Sequence, residues 1–296
     1  MPELPEVETI RRRLAPAVEG RRLDALVVHD PRWCLPLAPG ELADAVEGRT
    51  VRRLGRRGKY LIWELDGDVF LLVHLRMTGT LLYDAAPGQP YRRVTFGLDD
   101  AHEVAFCDPR RFGTGELAVG RAGLDAFLAP RLGLEPLEPG ALTGPALRAL
   151  ARGVRAPIKA FLLDQRRIAG VGNIYADEAL FRAQVHPLRP AGSLRPAQYA
   201  ALAEAVVQAL RAGLNAGGAT IDDFRHPDGV SGAFQHEFLV HLRRGEPCGT
   251  CGTQIVKLVA AGRGTYVCER CQTRPRLRQR PAAPAAGPSD RPQGSR

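Results

Sequence analysis

Four cysteines near the end of the chain constrain its fold more than any other feature. They form two pairs, Cys248-x-x-Cys251 and Cys268-x-x-Cys271, separated by sixteen residues. This spacing lets two hairpin knuckles close a tetrahedral zinc site. Disulfides are the alternative, and a reducing cytosol makes them the poorer explanation. Because four thiolates leave no open coordination position, we predict one structural Zn²⁺ ion.

The segment between the cysteine pairs predicts a β-hairpin. KLVAAGRGTYVC contains two short apolar runs around a Gly-rich turn, with Arg263 at its tip. Zinc binding is worth roughly 10–16 kcal/mol in small fingers, enough to fold a segment with almost no core. A basic side chain at the tip suits a nucleic acid groove, but a solvated turn fits the pattern equally well.

The first half of the chain is β-rich. With 296 residues, two domains and an appendage are the natural expectation. From about 22 to 118, short apolar runs alternate with turn residues, which predicts a sandwich or barrel with the opening helix packed against it. A stretch rich in Pro, Gly and Leu, roughly 129 to 145, then indicates the passage to a second domain.

Helical periodicity dominates the second domain. A long helix is predicted between Pro196 and the Gly217-Gly218 pair, with shorter helices around 157–166 and 173–183. The apolar residues at helical spacing in the long helix are Tyr199, Leu202, Val206, Leu210 and Leu214. Residues 219–246 have little periodicity and several Gly or Pro breaks, so we expect a long, mobile loop there.

The charge of the chain points to a polyanionic partner. Lys and Arg number 41 against 32 Asp and Glu, a formal net charge of +9, although a chain this basic can also simply be well solvated. No apolar run approaches the length of a membrane span and no signal peptide is visible, so we expect a cytoplasmic protein without membrane contact. The composition of the basic tail, 274–296, cannot support a core, so we expect disorder there.

The opening decapeptide, MPELPEVETI, is unusually acidic for so basic a chain. Pro5 suits a first helical position, and acidic residues favour the positive end of a helix dipole. The apolar stripe of this predicted helix consists of Val7, Ile10 and Leu14. A helix start therefore explains Glu6 and Glu8 but leaves Pro2 and Glu3 unexplained.

Three other segments each allow a structural and a chemical interpretation. In RRLGRRGKYL, Lys59 is either a solvated strand end or a phosphate ligand. HLRMTG and CDPRRFG end strands with turns that display Met77, Arg110 and Phe112, which are either core residues beside a surface arginine or a wedge for a DNA duplex. GVGN, ending at Asn173 before a helix, is either an anion site capped by that asparagine or a plain turn.

Together these motifs resemble the bacterial formamidopyrimidine-DNA glycosylase family. The matching segments are PELPEVET, RRGKYL, HLRMTG, DPRRFG, GVGNIYADE and the cysteine quartet, in family order from residue 2 to about 273. The resemblance implies a multidomain α+β fold. An N-terminal β-sandwich with an opening α-helix would cover 1–130, and a helix-two-turns-helix domain 131–246, with a lesion-recognition loop at about 219–239. A zinc-finger β-hairpin would follow at 247–273.

The resemblance also implies a bifunctional glycosylase and AP lyase of base excision repair that removes oxidised purines. Met1 would be cleaved off, and the secondary amine of Pro2 would attack C1′ of the damaged nucleoside to leave an imine. Strand cleavage by β,δ-elimination would follow. An α-amine has a reference pKa of about 8, so part of it is unprotonated near neutral pH. Glu3 would be the acid/base. The resemblance also implies that Lys59 belongs to the catalytic residues with Pro2 and Glu3, where it would contact a phosphate.

Further residues match DNA contacts of that family. The residues expected to fill the void left by a flipped nucleotide are Met77, Arg110 and Phe112. Asn173 and Arg263 match phosphate contacts, and Lys159, in IKAFLLDQ, matches a lysine that lines the lesion side. The implied partner is double-stranded DNA containing oxidised bases or abasic sites. The implied protein is a monomer in the bacterial cytoplasm, associated with the nucleoid.

One departure from the family pattern keeps alternatives open. The family commonly has Val-Tyr-Gly-Arg before the first zinc ligand, whereas this chain has Val240-His241-Leu242-Arg243. An oxidised-pyrimidine glycosylase like endonuclease VIII is one alternative, although that group usually lacks the Leu-Pro-Glu-Val-Glu continuation. A non-catalytic zinc-finger DNA-binding protein is another, but it gives no reason for a Pro-Glu terminus. Small tautomerases also use an N-terminal proline, but they are much shorter and need no zinc.

Overall fold

The computed structural model describes residues 1–221 and 225–275, and it begins with helix α1, Leu4–Val18. The predicted apolar stripe of this helix, Val7, Ile10 and Leu14, is fully buried. These three side chains belong to the core of a β-sandwich, whereas Leu4 belongs to the core of the helical part that follows. Helix α1 therefore joins the two halves of the molecule, and the residues before it lie at their junction.

The sandwich consists of two four-stranded antiparallel sheets. One has the order β1-β6-β7-β5 and the other β2-β3-β4-β8. The strands are β1 (Leu23–Val28), β2 (Val51–Arg57), β3 (Tyr60–Leu65), β4 (Val69–His74), β5 (Thr80–Tyr83), β6 (Arg92–Leu98), β7 (Glu103–Cys107) and β8 (Thr114–Val119). Between the sheets, the rings of Trp63 and Phe96 stack with centroids 5.0 Å apart. The predicted sandwich is confirmed, and the barrel is not.

A short helix interrupts the region predicted to be entirely β. Helix α2 (Pro39–Val46) follows a 3-10 turn at Pro31–Cys34. Only two of its residues, Leu42 and Val46, are buried, so its apolar periodicity is too short to identify a helix in the sequence. Trp33 in the preceding turn packs edge-on against Phe96 and helps to close one end of the sandwich.

Helices form the second half of the fold. They are α3 (Gly120–Leu128), α4 (Gly144–Ala151), α5 (Ile158–Leu163), α6 (Asn173–Arg182) and α7 (Pro196–Asn215). The long helix predicted after Pro196 is α7, and the two shorter ones are α5 and α6. Helix α6 is central, because all its residues from Ile174 to Phe181 are buried. No helix in the described ranges is long and apolar enough to cross a membrane.

The segment between α7 and the cysteines is more closely packed than the sequence predicted. Phe234 is fully buried and stacks on Tyr175, with ring centroids 5.2 Å apart. Val240 is also fully buried, so the expectation of a mobile loop is wrong for this second half of 219–246. The proposed recognition loop, 219–239, includes three residues outside the described ranges. The disorder expected for the tail likewise concerns residues outside them, apart from 274 and 275.

The predicted hairpin contains the last two strands in the described ranges. Strands β9 (Val256–Ala260) and β10 (Arg263–Val267) pair in antiparallel register, with Arg263 opposite Ala260 at the turn. Tyr266 and Phe181 belong to one small apolar cluster with the cysteines. The hairpin therefore packs on helix α6, directly beside the junction at which the chain begins.

Candidate active site and metal centre

A cavity of about 460 Å³ lies where the N-terminus, the sandwich, helix α6 and the hairpin meet. The predicted site residues in its wall are Lys59, Met77, Phe112, Asn173 and Arg263. Met1 also lines the cavity, and Pro2 follows it directly in a buried position. The structure therefore assembles in one place motifs that lie far apart in the sequence.

Glu3 occupies the N-terminal end of helix α6. One carboxylate oxygen, Oε1, accepts a hydrogen bond from the backbone N–H of Ile174 at 3.0 Å. A Cβ atom on Gly172 would clash with this carboxyl group, so the glycine of GVGN makes room for it. The anion site predicted at GVGN is thus filled by the chain's own Glu3. The predicted cap is wrong, since Gly172 is the N-cap and Asn173 is the first helical residue.

Glu6 fixes the backbone beside Glu3. It is fully buried, and its Oε2 accepts the backbone N–H of Glu3 at 2.8 Å. Its Oε1 accepts the Tyr175 hydroxyl at 2.7 Å and the backbone N–H of Ala219 at 2.8 Å. Burial, together with the nearby charge of Glu3, raises the pKa of Glu6. This carboxyl group connects the start of the chain to helix α6 and to the base of the 219–239 loop.

A tight turn presents Lys59 to the cavity. Gly58 in this turn has a φ of +55°, a conformation that favours glycine. Glu135 holds the turn in place, because its carboxylate accepts the Gly58 N–H, Arg56 Nη1 and Arg57 Nη1, each at 2.9 Å. Lys59 itself is only 4% exposed. No pattern in the sequence identifies Glu135 as the residue that holds the turn before Lys59.

The Lys59 ammonium group is buried and has no direct partner among residues 1–221 and 225–275. No residue in the described ranges forms a hydrogen bond or ion pair with it, and desolvation lowers the pKa of Lys59 against the opposing charges of Glu3 and Glu6. His74 lies in the same wall, and burial lowers the pKa of His74 to about 3. Its Nδ1 accepts the Arg76 N–H at 2.9 Å. This wall therefore suits an anion that pairs with Lys59.

One carboxylate organises both loops that carry the predicted void-filling residues. Asp108 is fully buried, and its Oδ2 accepts the backbone N–H groups of Phe112 and Gly113, each at 2.8 Å. Its Oδ1 accepts the N–H of Arg110 at 3.1 Å and the hydroxyl of Thr78, the neighbour of Met77. Asp108 thus fixes the conformation of both loops and with it the positions of Met77, Arg110 and Phe112.

The void-filling candidates themselves remain accessible. Phe112 is 52% exposed, which excludes a core role, and Met77 is half-buried. The Arg110 guanidinium lies over the Phe112 ring, with its Cζ 5.0 Å from the centroid. A bulky apolar ring exposed at the mouth of a cavity is a suitable shape for insertion into a stack of bases.

We expect Asp108→Ala to destabilise the protein by roughly 3 kcal/mol. The substitution removes the acceptor for three backbone N–H groups, and each buried unpaired donor costs about 1–3 kcal/mol, partly relieved by water. Urea denaturation followed by circular dichroism measures this loss. Asp125→Ala, at an exposed position on helix α3, is the matched control and should change the unfolding free energy by less than about 0.5 kcal/mol. Equal losses in the two variants would contradict the assigned role of Asp108.

The four cysteines form a metal site at the base of the hairpin. Their Sγ atoms all lie within 4.8 Å of one another. The Cys251–Cys268 pair is separated by 3.4 Å and the Cys248–Cys271 pair by 3.9 Å. Tetrahedral zinc with Zn–S bonds near 2.3 Å separates its sulfur atoms by about 3.8 Å. The geometry fits one structural Zn²⁺ held by four thiolates.

Two predicted DNA contacts, Arg110 and Lys159, do not line the cavity, and Lys159 is the buried one. Its side chain is fully buried, and Nζ donates to Asp177 Oδ1 at 2.6 Å and to Thr265 Oγ1 at 2.8 Å. Its direct contact with DNA therefore stays a prediction. No pattern in the sequence predicts this ion pair, although Lys159 lies in IKAFLLDQ and Asp177 in GVGNIYADE.

Family models cover most of the chain. The model described as the formamidopyrimidine-DNA glycosylase N-terminal domain matches residues 1–115, and its H2TH domain model matches 132–225. The model of the zinc finger found in FPG and IleRS matches 245–274. The domain limit predicted at 130 falls between the first two matches, and the limit at 246 lies one residue inside the third. Both limits stay predictions.

Known proteins resemble the chain over nearly its full length. The formamidopyrimidine-DNA glycosylase of Gluconobacter oxydans is 42% identical over 280 residues, covering 92% of this chain and 100% of that protein. A crystal structure of a Lactococcus lactis FPG variant with DNA containing Fapy-dG has a TM-score of 0.86 at 34% identity, covering 92% and 100% of the two chains. The MutM (FPG) protein of Thermus thermophilus has a TM-score of 0.82 at 42% identity, covering 92% and 98%.

Proposed function

Because the chain belongs to the formamidopyrimidine-DNA glycosylase family and is a DNA glycosylase of base excision repair, we propose that its catalytic nucleophile is the nitrogen of Pro2. The observation that carries this proposal is the position of Met1 in the cavity wall, with Pro2 directly behind it. Removal of Met1 converts the Pro2 nitrogen from an amide into a secondary amine at this wall. No other residue type supplies such an amine.

The proposed reaction begins at the anomeric carbon of the damaged nucleoside. The lone pair of Pro2 N forms a bond to C1′ while the bond from C1′ to the base breaks, and the base leaves with the proton that the nitrogen gives up. The sugar ring then opens to an iminium ion. This cation makes the neighbouring C2′ proton acidic, and two successive eliminations release the phosphates on either side. A hydroxyl or water nucleophile cannot form this electron sink.

Glu3 is the proposed acid and base of these steps. Its Oε1 is occupied by the Ile174 N–H, and Oε2 is buried without a hydrogen-bond partner among the described residues. A buried polar atom left without a partner calls for a functional explanation. Oε2 is therefore the proposed donor of a proton to the ring oxygen as the sugar opens, and the carboxylate left behind would accept the C2′ proton in the first elimination.

The remaining wall supports DNA binding. Lys59, Asn173 and Arg263 are the proposed phosphate contacts, and His74 and Arg76 line the same cavity. Each neutralised phosphate should contribute about −0.9 to the slope of log affinity against log salt. The target nucleotide must leave the stack to reach Pro2, and Met77, Arg110 and Phe112 are proposed to fill the space it vacates. One structural zinc ion stabilises the hairpin.

We further propose oxidised purines, namely 8-oxoguanine and formamidopyrimidines, as the substrates. The protein would act as a monomer on nucleoid DNA in the bacterial cytoplasm, at oxidised bases and abasic sites. Support comes from the PELPEVET start, which the endonuclease VIII group usually lacks. The His241-Leu242 departure lies beside the proposed recognition loop, and so it bears on the ranking of lesions more than on the chemistry.

A panel of duplexes tests the substrate. We expect rapid cleavage of a strand with 8-oxoguanine opposite cytosine, leaving phosphate on both sides of the gap, and no cleavage of undamaged DNA. Faster cleavage at an oxidised pyrimidine, such as dihydrouracil, would favour the endonuclease VIII-like alternative. Retarded migration in a gel without cleavage of any duplex would favour the non-catalytic DNA-binding protein.

A further inference from the structure

The ammonium group of Lys159 connects helix α5 to the zinc hairpin. Besides Asp177 Oδ1 and Thr265 Oγ1, Nζ donates to the carbonyl of Gly264 at 3.3 Å. All three donor positions of the ammonium group are therefore used by protein acceptors. Lys159, Asp177 and Thr265 are all buried, so the two bonds between their side chains are shielded from solvent.

The second carboxylate oxygen of Asp177, Oδ2, contacts the His241 ring and the backbone of Tyr266. Oδ2 accepts the backbone N–H of Tyr266 at 3.3 Å and lies 2.8 Å from Nδ1 of His241. Because an ionised carboxylate only accepts, Nδ1 of His241 carries the proton. The His241 ring packs edge-on against Phe238 and Tyr266, with centroids 5.3 and 5.1 Å away. We call Lys159, Asp177, His241 and Thr265 the hairpin latch.

The hairpin latch holds the residues that follow Arg263. The Gly264 carbonyl accepts from Lys159 Nζ and also from Asn173 Nδ2, at 3.1 Å. The Thr265 hydroxyl in turn donates to the Arg263 carbonyl at 3.0 Å. The exposed Arg263 side chain lies in the wall of the cavity that contains Lys59. The backbone of this arginine is thus tied to two helices of the second domain.

We propose that the hairpin latch is a positioning device that sets Arg263 over the cavity, and that Lys159 promotes DNA binding through it rather than by touching DNA. This inference rests on the proposed role of Arg263 in phosphate binding. It gives His241 a function in this chain, because its ring supplies the donor that fixes Asp177. Apolar side chains would hold a hairpin without the desolvation cost of a buried ion pair, whereas the latch fixes one orientation.

Coupling between variants tests this proposal. Binding is measured over a range of salt concentrations on a duplex with a tetrahydrofuran abasic analogue, which cannot form an imine, so the result does not depend on the chemistry of Pro2. We expect Lys159→Met and Arg263→Ala each to weaken binding about tenfold and to reduce the salt slope by about 0.9. The double variant should bind no more than about twofold more weakly than Arg263→Ala alone.

A second variant of the hairpin latch and a control variant complete the test. Thr265→Val keeps the shape of the side chain and should give the same pattern with a smaller loss, about fivefold, even if Lys159→Met fails to fold. Lys257→Met is the matched control, because Lys257 is an exposed lysine on the same hairpin. The loss of affinity in the Lys257→Met/Arg263→Ala double variant should equal the product of the losses in the two single variants. Zinc content verifies that each hairpin is folded.

Two results would overturn the proposal. One is a multiplicative loss in the Lys159→Met/Arg263→Ala double variant, which would mean that Lys159 binds DNA independently. The other is unchanged affinity and salt slope in Thr265→Val with zinc retained, which would mean that the hairpin latch does not control Arg263. Neither result bears on whether Pro2 is the nucleophile.

Discussion

Replacing Pro2 with glycine is expected to lower cleavage at 8-oxoguanine by on the order of 10³-fold. Glycine is small enough for Met1 to be removed, so the variant presents a primary amine in the same place. Its imine is neutral unless protonated, whereas the iminium of proline is always a cation and a stronger electron sink. Glycine also lacks the ring that restricts φ and so orients the nitrogen. Single-turnover cleavage of a labelled duplex measures the loss.

A matched variant separates this chemistry from the role of proline in the helix. Pro5 is also buried and lies in the first turn of α1, so Pro5→Ala should retain most of the cleavage rate. Binding of Pro2→Gly to the tetrahydrofuran duplex should stay close to that of the unaltered protein. Cleavage by Pro2→Gly at the unaltered rate, or an equal loss in Pro5→Ala, would show that the nucleophile lies elsewhere.

Cys268→Ser is the second substitution with a large expected effect. A serine hydroxyl does not ionise near neutral pH and cannot replace a thiolate ligand, so zinc is lost and with it roughly 10–16 kcal/mol of folding energy for the hairpin. The unfolded hairpin then no longer positions Arg263. It also no longer holds the Gly264 carbonyl that accepts the side-chain amide of Asn173. At about tenfold for each of two contacts, affinity for a lesion duplex should fall about 100-fold. Metal analysis and a binding titration measure both effects.

Cys34→Ser is the matched control for this substitution. Cys34 is a buried thiol in the sandwich, and its Sγ lies 3.5 Å from the carbonyls of Pro31 and Leu37, acceptors that a serine hydroxyl can use. This variant should keep one zinc per chain and unchanged affinity. Stoichiometric zinc in Cys268→Ser, or normal affinity without zinc, would contradict a structural role for the metal.

Local patterns in the sequence predicted local structure well. Periodicity or spacing among residues close together in the sequence was enough to predict three elements. These are the apolar stripe of α1, the long helix α7 and the hairpin around Arg263. Helix α2 was missed because two buried residues do not establish a period. The second half of 219–246 was misjudged, since Phe234 packs against Tyr175, a partner distant in sequence that no local pattern reveals.

The site was predicted in its parts but not in its connections. The GVGN motif correctly suggested an anion at a helix start, but the Glu3 carboxylate that fills it lies 171 residues away from Ile174. Glu135 gave no signal, because Arg56, Arg57 and Gly58 are all distant in sequence. Asp108 did offer one, since an aspartate that opens a turn commonly accepts the N–H two residues on, as it does from Arg110.

The proposed mechanism requires that the imino terminus left by removal of Met1 bonds to the anomeric carbon of the damaged nucleoside. Borohydride reduces the proposed iminium ion to a stable amine, so the most direct measurement is the mass of peptides from protein trapped on an 8-oxoguanine duplex. We expect a nucleotide-derived adduct on a peptide that begins at Pro2, with Met1 absent. An adduct on a lysine, or efficient cleavage by protein that retains Met1, would contradict it.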